Sequence, residues 1–422
     1  MSAQIAVPSE LDNRWSRKQF PSLSHEFNGH PAIYLDGPGG TQVPKAVIDA
    51  ISAYLIGSNA NTGGTFVTSQ RTDEAIAEAR QAMADFLGCE ADEVVFGPNM
   101  TNLTFMISRS IGREIHRGDQ IVVTHLDHSA NISPWQALEE LGVDIRFVDI
   151  NEHDCTLDMD DLANKINPRT KLVAVGHASN VVGSINDVAE IVRLSHAVQA
   201  MVFIDAVHYA PHGLLDVRTL GCDFLTCSTY KFFGPHVGVL YGRREHLRRL
   251  HAYKVRPLTN ESPNRYEMGT LNHEGLAGVT ACVDYIADLG RRLNPTAANR
   301  RSAIIAAFDG IRSYERVLVT RLIDGLLQIP HLKLYGIVDE SRFDHRCPTV
   351  AFRIEGHPPA ELAKKLAQRG IFTWHGNCFA LNLTERLGIE KSGGFLRVGL
   401  MHYNNTSELD HFLSVLRETV GC

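Results

Sequence analysis

Short apolar runs bounded by polar turns punctuate the middle of the chain: Val94-Val95-Phe96, Ile121-Val122-Val123-Thr124, Lys171-Leu172-Val173-Ala174-Val175, Met201 to Asp205 and Phe224 to Cys227. Runs of this length, rich in β-branched and aromatic side chains, read as buried strands. Val237-Gly238-Val239-Leu240-Tyr241 is a further strand-like run. Elsewhere the period changes. Ile76, Ala79, Met83 and Leu87 recur at helical spacing between Asp73 and Leu87, and Gly88 stands where a helix stops. Further helices are predicted over 188–198 and 359–368, the second closed by Gly370. Strands alternating with helices predict parallel βαβ units, an α/β protein.

From Arg291 to Arg301 the text turns polar before a new helical pattern begins. This predicts a large domain over 30–292 and a smaller α+β domain over 293–422. With 422 residues, 44% of them hydrophobic, roughly two to three domains with sizeable cores are within reach. Lys plus Arg number 41 against 48 Asp plus Glu, a net charge of -7, which argues against a nucleic-acid surface. Arg243 to Arg249 is basic but reads as a solvated helix face. No apolar stretch reaches the roughly 18 residues a membrane span needs, and the first ten residues lack the features of a signal peptide. A cytoplasmic protein is expected. The 8 cysteines are scattered without C-x-x-C spacing and read as reduced thiols.

The chemistry concentrates around Ser228-Thr229-Tyr230-Lys231-Phe232-Phe233-Gly234 and, upstream, Asp205-Ala206-Val207-His208. A lysine at the end of a buried strand can lose its proton near neutrality and hold an aldehyde cofactor as a Schiff base. A carboxylate closing the run Met201-Val202-Phe203-Ile204 can keep a pyridine nitrogen protonated, at the strand edge where open α/β sheets bind ligands. Lys231 and Asp205 together point to pyridoxal 5'-phosphate (PLP). Gly97-Pro98-Asn99-Met100-Thr101 follows a strand and opens a helical pattern, a suitable anion site. His125-Leu126-Asp127-His128 could also be read as metal ligands, but no third ligand block completes a site. No metal is expected.

These blocks, with Ser69-Gln70-Arg71, Ser129-Ala130-Asn131, Ser179-Asn180-Val181-Val182-Gly183, Arg265-Tyr266-Glu267-Met268-Gly269-Thr270 and Arg397 before Met401-His402-Tyr403-Asn404, occur in the order found in class V aminotransferase-superfamily enzymes of PLP fold type I. The chain resembles most closely the cysteine desulfurase and selenocysteine lyase branch. The resemblance implies a mostly parallel seven-stranded sheet flanked by helices, with segment 1–29 packing on the smaller domain. It also assigns roles. Lys231 would carry the cofactor and shuttle the proton, His128 would stack on the ring and assist, Asp205 would face the ring nitrogen and Asn180 the phenolic oxygen. Met100, Thr101, Ser228 and Tyr230 would hold the phosphate, helped by Thr270 from a neighbouring subunit, which implies a homodimer. Arg397 would clamp the substrate carboxylate, and Asn180 would also face the substrate.

The chain departs from the family at several of these places. Tyr230 replaces the usual histidine, and His208 stands where desulfurases carry glutamine. Trp374 replaces an arginine. A desulfurase also needs a nucleophilic cysteine; aligned without a gap that cysteine falls on Phe379, with Cys378 adjacent. The expectation is therefore a PLP enzyme cleaving the C–S or C–Se bond of a small L-amino acid, with cysteine or selenocysteine leading and the sulfur acceptor unspecified. The alternatives are lyase, epimerase, aminotransferase or decarboxylative chemistry without a persulfide cysteine, and a PLP-binding protein without turnover.

Overall fold

The computed structural model describes residues 11–422. Helices α1 (Lys45–Gly57) and α2 (Val67–Leu87) lead into strand β1 (Val94–Gly97), helix α3 (Met100–Gly112) and strands β2 (Gln120–Thr124), β3 (Asp144–Val148) and β4 (Thr170–Gly176). Helix α4 (Val188–Ala197) precedes β5 (Met201–Asp205), β6 (Phe224–Ser228) and β7 (Gly238–Gly242). The long helices α5 (His273–Leu293) and α6 (Arg300–Leu327) follow. The chain ends with β8 (Leu332–Tyr335), β9 (Thr349–Ile354), α7 (Pro359–Gln368), β10 (Trp374–Gly376), β11 (Phe395–Gly399) and α8 (Thr406–Val420).

The first seven strands form one sheet in the order β1-β7-β6-β5-β4-β2-β3. Strand β7 runs antiparallel to β6 and β1, and the other pairings are parallel. Side chains alternate between two cores: Val173, Val202, Ile204 and Leu225 pack with Met83 and Phe86 of α2 and Val279 and Val283 of α5. Leu172, Ala174, Phe203 and Phe224 pack on the opposite face with Leu103 and Ile107 of α3. Burial on both faces explains why these strands read as unbroken apolar runs.

Helix α2 begins at Val67, earlier than its apolar spacing suggests. Its first turns are held by polar contacts instead. Ser69 Oγ donates to the Asn61 carbonyl at 2.6 Å, and Thr72 Oγ1 donates to the Ser58 carbonyl at 3.0 Å.

The last four strands form an antiparallel sheet in the order β8-β9-β11-β10. Leu362 and Leu366 of α7, Leu409 and Phe412 of α8, and Leu318 to Leu326 of α6 cover it. The polar stretch near residue 293 is the turn between α5 and α6. Ala303, Ile304, Ala307, Phe308 and Ile311 still belong to the core of the larger sheet, so the cores change over inside α6, between Ile311 and Leu318. Helices α5 and α6 nearly touch at Gly290, where a Cβ would lie 1.7 Å from the Ala303 carbonyl oxygen.

Residues 1–10, part of the segment expected on the smaller domain, lie outside the described residues. The remainder of that segment leans on both halves. Asn13 Nδ2 donates to the carbonyls of His402 and Asn404, each at 2.9 Å, Trp15 stacks on Tyr285 of α5 at 6.0 Å, and Phe27 meets Phe372 at 5.3 Å.

Candidate active site

Because β2, β4, β5 and β6 run parallel, their carboxyl ends lie on one edge, and a cavity of about 1070 Å³ sits there. Met100, Thr101, His128, Asn180, Asp205, His208, Ser228, Tyr230, Lys231, Cys378 and Arg397 all line it. Thr270 does not: it is exposed and away from the cavity of its own chain.

Asp205 is the last residue of β5 and Lys231 follows the end of β6 by three residues. Lys231 Nζ donates to the carbonyls of Pro38 at 2.5 Å and Gly39 at 3.0 Å, and lies 4.9 Å from the centre of the Tyr230 ring. Burial, reinforced by the Arg397 charge, pushes the amine down to about 7, while Asp205 and Asp36 oppose the shift. Burial pushes the Asp205 carboxyl up to about 6; the Val207 N–H, donating at 2.9 Å, and the Lys231 charge pull it back. Amine and acid therefore both titrate close to neutrality.

His128 follows β2. Its Nδ1 accepts from the Ala130 N–H at 3.0 Å, which leaves the proton of the neutral ring on Nε2. Burial first, then the charges of Lys231 and Arg397, push its pKa down to about 4. The preceding residue fixes this loop: Asp127 accepts from the Gly176 N–H at 2.9 and 3.0 Å and from Asn131 Nδ2 at 2.8 Å. His125, the other histidine of the block, stacks on Phe147 at 5.0 Å, and no metal-binding cluster occurs among the described residues.

At the opposite end of the cavity, Asn99 caps α3 by accepting from the Asn102 N–H at 2.9 Å. The Met100 N–H donates to Ser228 Oγ at 3.0 Å, which brings the positive end of α3 against the end of β6. Gly238 permits this approach, since a Cβ there would lie 2.4 Å from the Asn99 carbonyl carbon. His236 stacks on Tyr230 at 4.7 Å.

Arg397, on β11, enters from the smaller sheet and donates through Nη1 to the Asn180 carbonyl at 2.9 Å. Its Nε, Asn180 Oδ1, His208 Nε2 and Asp36 Oδ1 are buried without a hydrogen-bond partner. Buried polar atoms without partners are costly, and this group fits a polar ligand.

The segment after β10 closes this side. Cys378 and Phe379 adopt φ of 51° and 61°, unusual for residues with side chains, in a turn closed by the Ala380 N–H donating to the Asn377 carbonyl at 2.9 Å. The turn is pinned from outside. Asn180 Nδ2 donates to the Cys378 carbonyl at 2.8 Å, and the Ser129 N–H and Oγ donate to the Phe379 carbonyl at 2.7 and 2.8 Å. The Phe379 ring, 72% exposed, stacks on His128 at 5.4 Å. Burial raises the Cys378 thiol, opposed by Arg397 and Lys231.

The sequence reading missed several lining residues. Asp127 appeared only within a longer block, and Asn377, which donates to Glu390 Oε1 at 3.1 Å, gave no signal beyond the turn-forming Gly376-Asn377 pair. Asn99 stood in the block read as an anion site; its signal, an asparagine just ahead of a helical pattern, went unread. His236, Phe379 as a ring partner and Glu390 had no signal.

A family model described as Aminotransferase class-V matches residues 33–412. A probable cysteine desulfurase of Synechocystis sp. is 31% identical over 421 residues, covering 96% of this chain and 94% of its own. A cysteine desulfurase of Dickeya dadantii is 32% identical over 417 residues, covering 95% of each chain. The apo structure of the cysteine desulfurase from Thermococcus onnurineus superposes with a TM-score of 0.85 at 28% identity, covering 97% of this chain and 98% of the other.

Proposed function

We propose, from the premise that the chain belongs to the aminotransferase class-V family, that it is a cysteine desulfurase-like enzyme using PLP to cleave the C–S or C–Se bond of a small L-amino acid, leaving alanine. The observation that carries this reading is the convergence of Lys231, Asp205 and Arg397 on one cavity. The donor set suits the cofactor: an amine near its neutral form, a buried carboxyl, a helix N-terminus beside a serine, and unpartnered polar atoms of Asn180 and His208. Bound there, PLP supplies an aldehyde for amine capture and a cationic ring that withdraws electrons from the bonds at the substrate Cα.

The protein's own groups divide the work. Lys231 would hold the aldehyde and move a proton, and the Asp205 carboxyl would favour a charged ring nitrogen. Met100, Thr101, Ser228 and Tyr230 would hold the phosphate. His128, with its proton at Nε2, would hold the cofactor ring, and the unpartnered Asn180 Oδ1 and His208 Nε2 would help hold the cofactor. Arg397 pairs with the substrate carboxylate, fixing the orientation of the bonds at Cα. Cys378, the cysteine that lines the cavity, is the thiol assigned to receive sulfur.

Thr270 is assigned to the phosphate of a second copy. Its exposure supports this, as does exposed apolar surface at Ile56, Phe66, Val67 and Met268. The test is absorption at about 420 nm with added PLP, followed by assay of alanine and sulfide from cysteine. A protein that stays colourless defeats the reading.

A second reading, Cα or Cβ chemistry without a thiol acceptor, is favoured by one feature: Cys378 is held in a pinned turn with its thiol raised by burial. Turnover unchanged by Cys378→Ala would select it; loss of persulfide formation in that variant selects the first.

A further inference from the structure

Behind the cavity lies a polar group that the chemistry above leaves unused. His208, on the cavity wall, meets His212 with ring centroids 5.3 Å apart and planes at 68°. His212 Nδ1 lies 2.8 Å from Glu315 Oε2 of α6, and both side chains are 3% exposed. His208 Nε2, His212 Nε2 and Glu315 Oε1 are all buried without a partner. A pair that served only to tie α6 to the loop after β5 would not need to bury two further unsatisfied polar atoms, His212 Nε2 and Glu315 Oε1, each of them costly.

On the far side, His212 and Glu315 line a separate cavity of about 30 Å³, room for a single water. Its outer lining includes Arg312 and Asp344, which are 56% and 57% exposed. Ionisable groups thus lie between the protein surface and the wall of the cofactor pocket, with His208 and His212 in edge-to-face ring contact and no hydrogen bond between them.

We propose that Glu315 and His212 are positioning residues for His208: the proton they share sets the charge on His208, and through it the proton balance of the cofactor pocket. The inference rests on the PLP reading above. A carboxylate acting on an imidazole through a second imidazole extends the common device in which a third group orients a base. Other charged or titratable groups bear on the same chain. Burial, His212, Arg397 and Lys231 bear on His208, in that order, and His402 feels His212. Tyr209, Arg312, Arg346 and Cys347 border the small cavity. Burial first, then His212 and the cations on the cavity side, disfavours a charged His208, and the carboxylate bonded to His212 is the anion set behind it.

The test follows the visible band of the PLP-loaded protein through a pH series. Glu315→Gln keeps the shape and the bond to His212 but removes the negative charge. It should move the midpoint of the band's titration downward by about half a pH unit, about threefold in proton affinity. The same change made on top of His208→Gln should move nothing. Equal movement in both backgrounds, or none in a folded Glu315→Gln protein, overturns the proposal. If Glu315→Gln does not fold, His212→Gln is compared in the same two backgrounds with the same criteria. Absence of any visible band in the unaltered protein sinks the cofactor reading itself, and a band with an immovable midpoint sinks only the relay.

Discussion

Lys231 holds its amine between two carbonyls, below its usual pKa because burial outweighs the nearby carboxyls. Lys231→Ala should therefore leave PLP bound without its visible band and lower turnover by about 100- to 10,000-fold, as loss of a proton-moving group does. The same lysine gives the cofactor-free protein a pH signature. Folded, it loses its proton near pH 7; unfolded, near 10.5. Between those values the unfolded chain binds more protons, so stability rises with pH. Melting temperatures at about pH 7.5 and 8.5 should show that rise in the native protein and a smaller one in Lys231→Met. At this scale the legible residues were those whose side-chain chemistry is itself unusual for their surroundings. Lys231 and Asp205 are charges set among apolar neighbours, whereas Arg397 was reached through the family resemblance. Asn377 and Glu390 escaped notice because they act through a hydrogen bond between two loops, which leaves no period and no motif.

The strands were readable because both faces are buried. The helix start at Val67 was not, since Ser69 and Thr72 fix it through hydrogen bonds to the loop before it. The antiparallel direction of β7 follows from distance along the chain: nine residues separate it from β6, fewer than a parallel crossover needs. The close approach of α5 and α6 was invisible, because Gly290 in a helical stretch reads only as a weak helix former. Gly290→Ala would force the helices apart at the Ala303 carbonyl. It should cost about 1–3 kcal/mol despite alanine's better helix propensity, seen as a lower melting temperature.

For the whole molecule, the assembly proposed here makes a simple demand. Sedimentation should give twice the 46.7 kDa chain mass, and Ile56→Asp, placing a charge where a side chain is 87% exposed, should shift it toward one chain and weaken PLP retention. The order of motifs carried the architecture across nearly the full length. What it did not carry is the course of α6 through two cores. Severing the backbone at the polar turn near residue 293 would tear Ala303, Ile304, Ala307, Phe308 and Ile311 from their partners and leave them as a greasy stub on the released fragment. Fragments 11–292 and 293–422 made separately should precipitate, and should regain solubility when produced together in one cell.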